Sequence, residues 1–162
     1  DEFAARISTN YIRHECTNYE RVLGALGGKV GRAKAYEIIK EKVNQTAKEF
    51  GAGNTEITDN FGKDFAGKTS SGDLVNTMQK LYQGKILGTN VDNQILGQLA
   101  NFPEKGLAKN ISGVVYKIAD KKQGAAIIQE DGKTYTMAMV SEEDADLAKI
   151  GDSINNWMIK QK

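Results

Sequence analysis

Gly124-Ala125-Ala126-Ile127-Ile128-Gln129-Glu130-Asp131-Gly132-Lys133-Thr134-Tyr135-Thr136-Met137-Ala138-Met139-Val140 decides how the last third of the chain is read. Residues 125–129 and 134–140 are short runs rich in β-branched and apolar side chains, the pattern of strands. Asp131-Gly132 between them is the dipeptide that favours a two-residue hairpin turn. Upstream, residues 111–118 carry valine, isoleucine and tyrosine and predict another strand. Downstream, Ser141 precedes Glu142-Glu143-Asp144, the pattern of a capped helix start. That helix is expected to end near Gly151, and residues 154–159, with Trp157 among them, read as a last strand. Four or five short strands and one helical turn predict a small antiparallel β-barrel, SH3-like or OB-like, over residues 108–162.

The first 107 residues read as a mainly helical domain, so the fold class is α+β. Residues 3–50 predict a helical hairpin. Ile12, Cys16, Tyr19, Leu23 and Leu26 recur at helical spacing, as do Tyr36, Ile39, Val43, Ala47 and Phe50. Gly27-Gly28-Lys29-Val30-Gly31 supplies the reversal between them, and Gly51 the stop. Residues 51–72 are polar and glycine-bearing, a long functional loop or a mobile linker. Leu74, Val75, Met78, Leu81 and Tyr82 mark a further helix, and Val91, Ile95, Leu96 and Leu99 a shorter one. Pro103 and Gly106 mark the boundary before the barrel.

Composition narrows the chemistry. The 162 residues are 40% apolar and 27% charged, with 22 Lys and Arg against 21 Asp and Glu. That content builds a core, and no apolar run reaches the ~18 residues of a membrane span. One cysteine rules out a disulfide framework and favours a reducing compartment, so a cytoplasmic location is expected. One histidine and one cysteine fall short of the about four ligands of a closed zinc site. No metal and no cofactor are expected, and no membrane partner.

Gly62-Lys63-Asp64-Phe65-Ala66-Gly67-Lys68-Thr69 matches G-x-x-x-x-G-K-[ST]. Gly62, Gly67, Lys68 and Thr69 would cradle and neutralise phosphates. A P-loop must follow a buried apolar strand, however, and residues 54–60 are mostly polar. His14 and Cys16, two apart, face away from each other on a helix, which argues against a nucleophilic pair and leaves no catalytic residue assigned. Gly151-Asp152-Ser153 reads as a turn entering the last strand. Glu142, Glu143, Asp144 and Asp146 lack the spacing of a calcium loop.

All four arginines fall within the first 32 residues. At about 100° per residue, Arg6, Arg13 and Arg21 lie within roughly 80° on one helix face. Lys29 and Arg32 add charge at the hairpin turn. Guanidinium groups are suited to phosphate forks, and Trp157 is a candidate base-stacking platform. The alternative is a solvated face laced by carboxylates.

Arg13-His14-Glu15-Cys16-Thr17-Asn18-Tyr19-Glu20, with the leucine, glycine turn and second helix that follow, resembles the R-H-x-x-T-N-Y-[DE] helical motif of uncharacterised bacterial proteins. This resemblance spans residues 13–50 and implies no activity. Gly113-Val114-Val115 and Ile150-Gly151-Asp152 resemble parts of the small barrels of plasmid-mobility proteins. The leading reading is a non-enzymatic module that contacts DNA or RNA phosphates through Arg6, Arg13, Arg21, Lys29 and Arg32, with Trp157. A protein-interaction module or homo-oligomer is the alternative, and nucleotide binding at residues 62–69 the second.

Overall fold

The computed structural model describes residues 24–58, 67–102, 106–119 and 122–161. The chain divides into two compact units between Thr69 and Ser70.

In the first unit, residues 24–30 are helical and stop at Gly31. Gly31 has φ 85°, and helix α1 (Arg32–Glu49) begins directly after it. The glycine stretch is therefore mostly helix, with the break confined to one residue. Ala35 and Ile39 are buried in α1, and Leu26, Tyr36, Val43 and Ile57 pack on them. The 35/39/43 spacing is one helical stripe. Strands β1 (Glu56–Ile57) and β2 (Gly67–Lys68) pair antiparallel. Asn44 of α1 anchors β1: its Oδ1 accepts from Ile57 N at 2.7 Å and its Nδ2 donates to Ile57 O at 3.0 Å. The first-helix positions Ile12, Cys16, Tyr19 and Leu23 lie outside the described residues.

The second unit opens with α2 (Ser71–Tyr82), capped by Ser70, whose hydroxyl accepts from Asp73 N at 3.1 Å. Helix α3 (Thr89–Ala100) follows. The turn between them is closed by Asp92, fully buried, whose carboxylate accepts from Ile86 N and Leu87 N at 2.9 Å each. A 3-10 turn (Gly106–Ala108) leads to β3 (Val114–Ala119), β4 (Gln123–Glu130) and β5 (Lys133–Val140), a sheet of order β3-β4-β5 with both pairs antiparallel. Asp131 and Gly132 both have positive φ, 51° and 74°, as a mirror-image hairpin turn requires.

Strand β4 is buried without interruption from Gly124 to Ile128, so both of its faces are covered. On one face Ala126, Ile128, Tyr135 and Met137 pack with Leu107, Ala108, Ile111 and Leu147. Ile150, Ile154 and Met158 of helix α4 (Leu147–Lys160) complete that layer. By the pleat, Ala125 and Ile127 point to the opposite face. Helix α2 lies against β4 and β5, and α3 against β3.

The sheet does not close, which corrects the expected SH3-like or OB-like barrel. The missing strand is the reason: residues 154–159 belong to α4. Leu147, Ile150, Ile154 and Met158 are spaced 3, 4 and 4 apart, a helical stripe against the sheet. Gly151 is no stop signal either. It is buried inside α4, where a Cβ would stand 1.7 Å from Leu107 O, so the helix and the 3-10 turn meet backbone to backbone there. The helix starts at Asp146, whose Oδ1 accepts from Lys149 N at 3.1 Å. Ser141 instead caps a bend, accepting from Glu143 N at 3.3 Å. Among the described residues, no helix is long and apolar enough to cross a membrane.

Candidate functional site

The chain approaches β3 through Ile111, Ser112 and Gly113, and a bulge shifts the β3-β4 register between Val114 and Tyr116. Beside this approach lies a cleft of about 200 Å³ lined by Ala108, Ile111, Ser112, Val114 and Lys117. Three of the lining residues are apolar, one bears a hydroxyl and one an ammonium group.

A chain of polar contacts links the approach to β3 with β4, β5 and α4. Ser112 Oγ donates to Glu130 Oε1 at 2.8 Å. Asn155 Nδ2 donates to Glu130 Oε2 at 3.2 Å, and Tyr135 OH donates to Asn155 Oδ1. A carboxylate only accepts, so each proton has an assigned direction and the Asn155 amide has one orientation. Burial first, and the Glu130 charge second, hold the Tyr135 phenol above its ordinary pKa, which keeps it a donor. Lys117 Nζ donates to Ala100 O at 3.0 Å, at the C-terminal end of α3. On the far edge, Lys133 Nζ donates to Met158 O (3.3 Å), Ile159 O (2.9 Å) and Gln161 O, closing the end of α4. The other face of β3 carries Tyr116, whose ring lies 6.1 Å from that of Tyr82. Gln129 Nε2 donates to the Tyr82 hydroxyl at 2.8 Å.

Nucleophilic catalysis needs a hydroxyl or thiol bonded to a base. Ser70 and Ser141 accept from backbone N–H groups, Ser153 donates to Lys149 O, and Ser112 donates to a carboxylate. Among the described residues, no group of three His, Cys, Asp or Glu side chains could hold a metal ion.

Of the residues expected to contact phosphate, Arg6, Arg13 and Arg21 lie outside the described residues. Lys29 is exposed on the helical segment before Gly31. Arg32 is exposed at the start of α1, its guanidinium 5.9 Å from the Tyr36 ring centre and donating to the Tyr36 hydroxyl at 3.4 Å. Trp157 is 60% exposed, but on a helix rather than a strand. In the nucleotide motif, Gly62 lies outside the described residues. Gly67 and Lys68 form β2 instead of a helix start, and Lys68 pairs with Glu56 at 2.8 Å. The hydrogen bond and charge of Lys68 lower the Glu56 pKa. The Thr69 and Thr55 hydroxyls share a hydrogen bond at 2.8 Å. A phosphate cradle needs the lysine and the N–H groups of a following helix turned to one ligand, whereas this lysine is spent on the neighbouring strand. Ser112, Lys117, Glu130 and Asn155 were not singled out from the sequence. Ser112 and Glu130 lie 18 residues apart and Tyr135 and Asn155 20 apart, so only the hairpin and α4 unite them.

Residues 36–158 match the family described as the Beta-lactamase enzyme family. Among solved structures, PBP-A superposes with a TM-score of 0.62 at 18% identity, covering 75% of this chain and 52% of that one. The TLA-3 extended-spectrum beta-lactamase gives 0.59 at 16% identity, covering 80% and 59%. The beta-lactamase from Sphaerobacter thermophilus DSM 20745 gives 0.55 at 9% identity, covering 82% and 60%. The chain thus spans between half and three-fifths of the length of these structures. Curated protein sequences give no match. These findings overturn the likeness to uncharacterised helical-motif and plasmid-mobility proteins, and with it the nucleic-acid module. A barrel-bearing phosphate binder is replaced by an open sheet between helices, and the chain belongs to the β-lactamase enzyme family.

Proposed function

We propose that the chain acts in β-lactam recognition, as part of a hydrolase or a penicillin-binding-like protein. Family membership over residues 36–158 carries this reading. Proteins of this kind use a serine that attacks the lactam carbonyl and becomes acylated, with the motifs S-x-x-K, S-D-N and K-T-G around it. None of the three occurs in the 162 residues; Lys-Thr at 68–69 and 133–134 is followed by Ser70 and Tyr135, not glycine. The contribution of these residues is therefore the frame: a sheet with both faces packed and helices α2, α3 and α4 against it. Rigid elements of this kind hold a ligand-binding constellation in place.

The alternative is recognition without turnover. One set of assays separates the two. The protein is incubated with a fluorescent penicillin, then denatured and examined for retained label. A chromogenic cephalosporin reports ring opening, and thermal unfolding is followed with benzylpenicillin present. Label or colour supports acyl transfer. A raised Tm with neither supports recognition alone. No label, no colour and no Tm shift overturn both.

A further inference from the structure

We propose that the end of α4 is a redox-sensitive latch, released when a peroxide oxidises the thioether of Met158 to the sulfoxide. The chain has four methionines, and three of them meet in one layer. Met137 is buried in the core cluster that includes Leu147 of α4, and Met139 of β5 and Met158 of α4 are partly buried against it. The fourth, Met78 of α2, is 3% exposed, as is Met137. Peroxide reaches sulfur from solvent, so the partly exposed pair reacts first. The step is an oxygen transfer: an S–O bond forms, the peroxide O–O bond breaks, sulfur is oxidised and the peroxide is reduced to water.

Of that pair, Met158 stands where α4 is tied to the sheet. Its carbonyl accepts from Lys133 Nζ and from Gln161 N, each at 3.3 Å. Lys133 also holds Ile159 O and Gln161 O. Three residues earlier, on the same helix face, Asn155 accepts from Tyr135 OH and donates to Glu130 Oε2. The apolar anchor thus sits between two polar ties. A sulfoxide is polar, and burying it without a donor is costly. The cluster that Met158 packs against offers Leu, Ile, Ala and Met side chains, and its one hydroxyl, on Tyr135, is already given to Asn155. The oxidised side chain therefore turns to water and takes the last turn of α4 with it. Asn155 then leaves Glu130, the carboxylate that fixes the Ser112 hydroxyl. Oxidation at the end of one helix is thereby felt at the cleft beside β3, which Ser112 lines. Reduction of the sulfoxide restores the apolar contact and closes the latch. None of this depends on β-lactam recognition.

The test exposes the whole chain to hydrogen peroxide and follows it by peptide mass spectrometry, amide hydrogen exchange and NMR. Met158 is expected to gain one oxygen about tenfold faster than Met78 and Met137. Amides in the last turn of α4 should then exchange about tenfold faster, with those of β4 unchanged. The Ser112 and Gly113 amide resonances should shift at the same time. A methionine sulfoxide reductase should reverse these changes. Met158→Leu keeps the volume and the apolar contact, so it should resist peroxide in every readout, whereas Met139→Leu should still respond. Met158→Gln, polar without any oxidant, should exchange fast from the start. The wild type before oxidation is its own control, so the test stands even if a variant fails to fold. The proposal is overturned if Met158 reacts no faster than the buried methionines, if its oxidation leaves the last turn of α4 unchanged, or if Met158→Leu responds as the wild type does.

Discussion

Single atoms decide two positions. At Gly151 the missing Cβ is the contact: added, it would overlap Leu107 O, a backbone atom that cannot rotate away. Overpacking typically costs about 1–3 kcal/mol, and a backbone clash belongs at the top of that range. Gly151→Ala is therefore expected to lower the urea midpoint by about 3 kcal/mol of stability, with α4 or the 3-10 turn displaced. An unchanged midpoint would show that the two backbones are not in contact. At Tyr135 the hydroxyl is held by Asn155 and shielded by burial, and its pKa is raised above 10.0. For an acid raised in the folded state, the unfolded chain ionises first. The stability it contributes is intact below pH 10 and is lost as pH climbs through the folded-state value. Tyr135→Phe should cost about 1–2 kcal/mol at neutral pH. Its deficit should narrow above pH 10, because the wild type alone pays for this ionisation. Parallel loss of stability in both proteins would remove Tyr135 from the network.

Elements differ in how openly the sequence announces them. The β4-β5 hairpin is legible because its signal is local: two apolar runs flank a dipeptide that tolerates positive φ at both positions. Helices α2 and α3 are legible for the same reason, through their periodic apolar residues. Helix α4 is not. Its last turns, Ile154-Asn155-Asn156-Trp157-Met158-Ile159, alternate well enough for a strand, and Gly151 looks like punctuation. Only the neighbouring 3-10 turn explains that glycine, and the neighbour lies 44 residues away. The end of α4 has a similar remote support in Lys133, which donates to its last carbonyls from β5. A cation at a helix C-terminus contributes about 0.3–1 kcal/mol, and up to ~2 when partly buried. Lys133→Met should therefore cost about 1 kcal/mol and speed amide exchange in the last turn of α4 more than elsewhere. Uniform exchange would show that the lysine does not hold that end. The polar network at the cleft is hidden in the same way, since Ser112, Glu130, Tyr135 and Asn155 come from four separate segments.

At the scale of the molecule, residues 70–162 own a complete packed unit: sheet, both covering layers and their capping contacts. Expressed alone, this segment is expected to give mixed helix–strand circular dichroism and a cooperative urea transition. A gradual, featureless transition would show that its core needs the rest of the chain. Membership of the family was not legible from motifs, because none of the serine-enzyme motifs occurs in these 162 residues; the match spread over residues 36–158 carries it. One exposed side chain has a consequence for every spectroscopic study of this protein. Trp157 is the sole tryptophan, and at 60% exposure its indole already stands in water. Its emission will change little when the core comes apart, so fluorescence will make unfolding look smaller than it is. The same exposure makes it a clean reporter of one place: quenching by iodide, or a spectral change on adding a ligand, would speak for the last turns of α4 and for nothing in the interior.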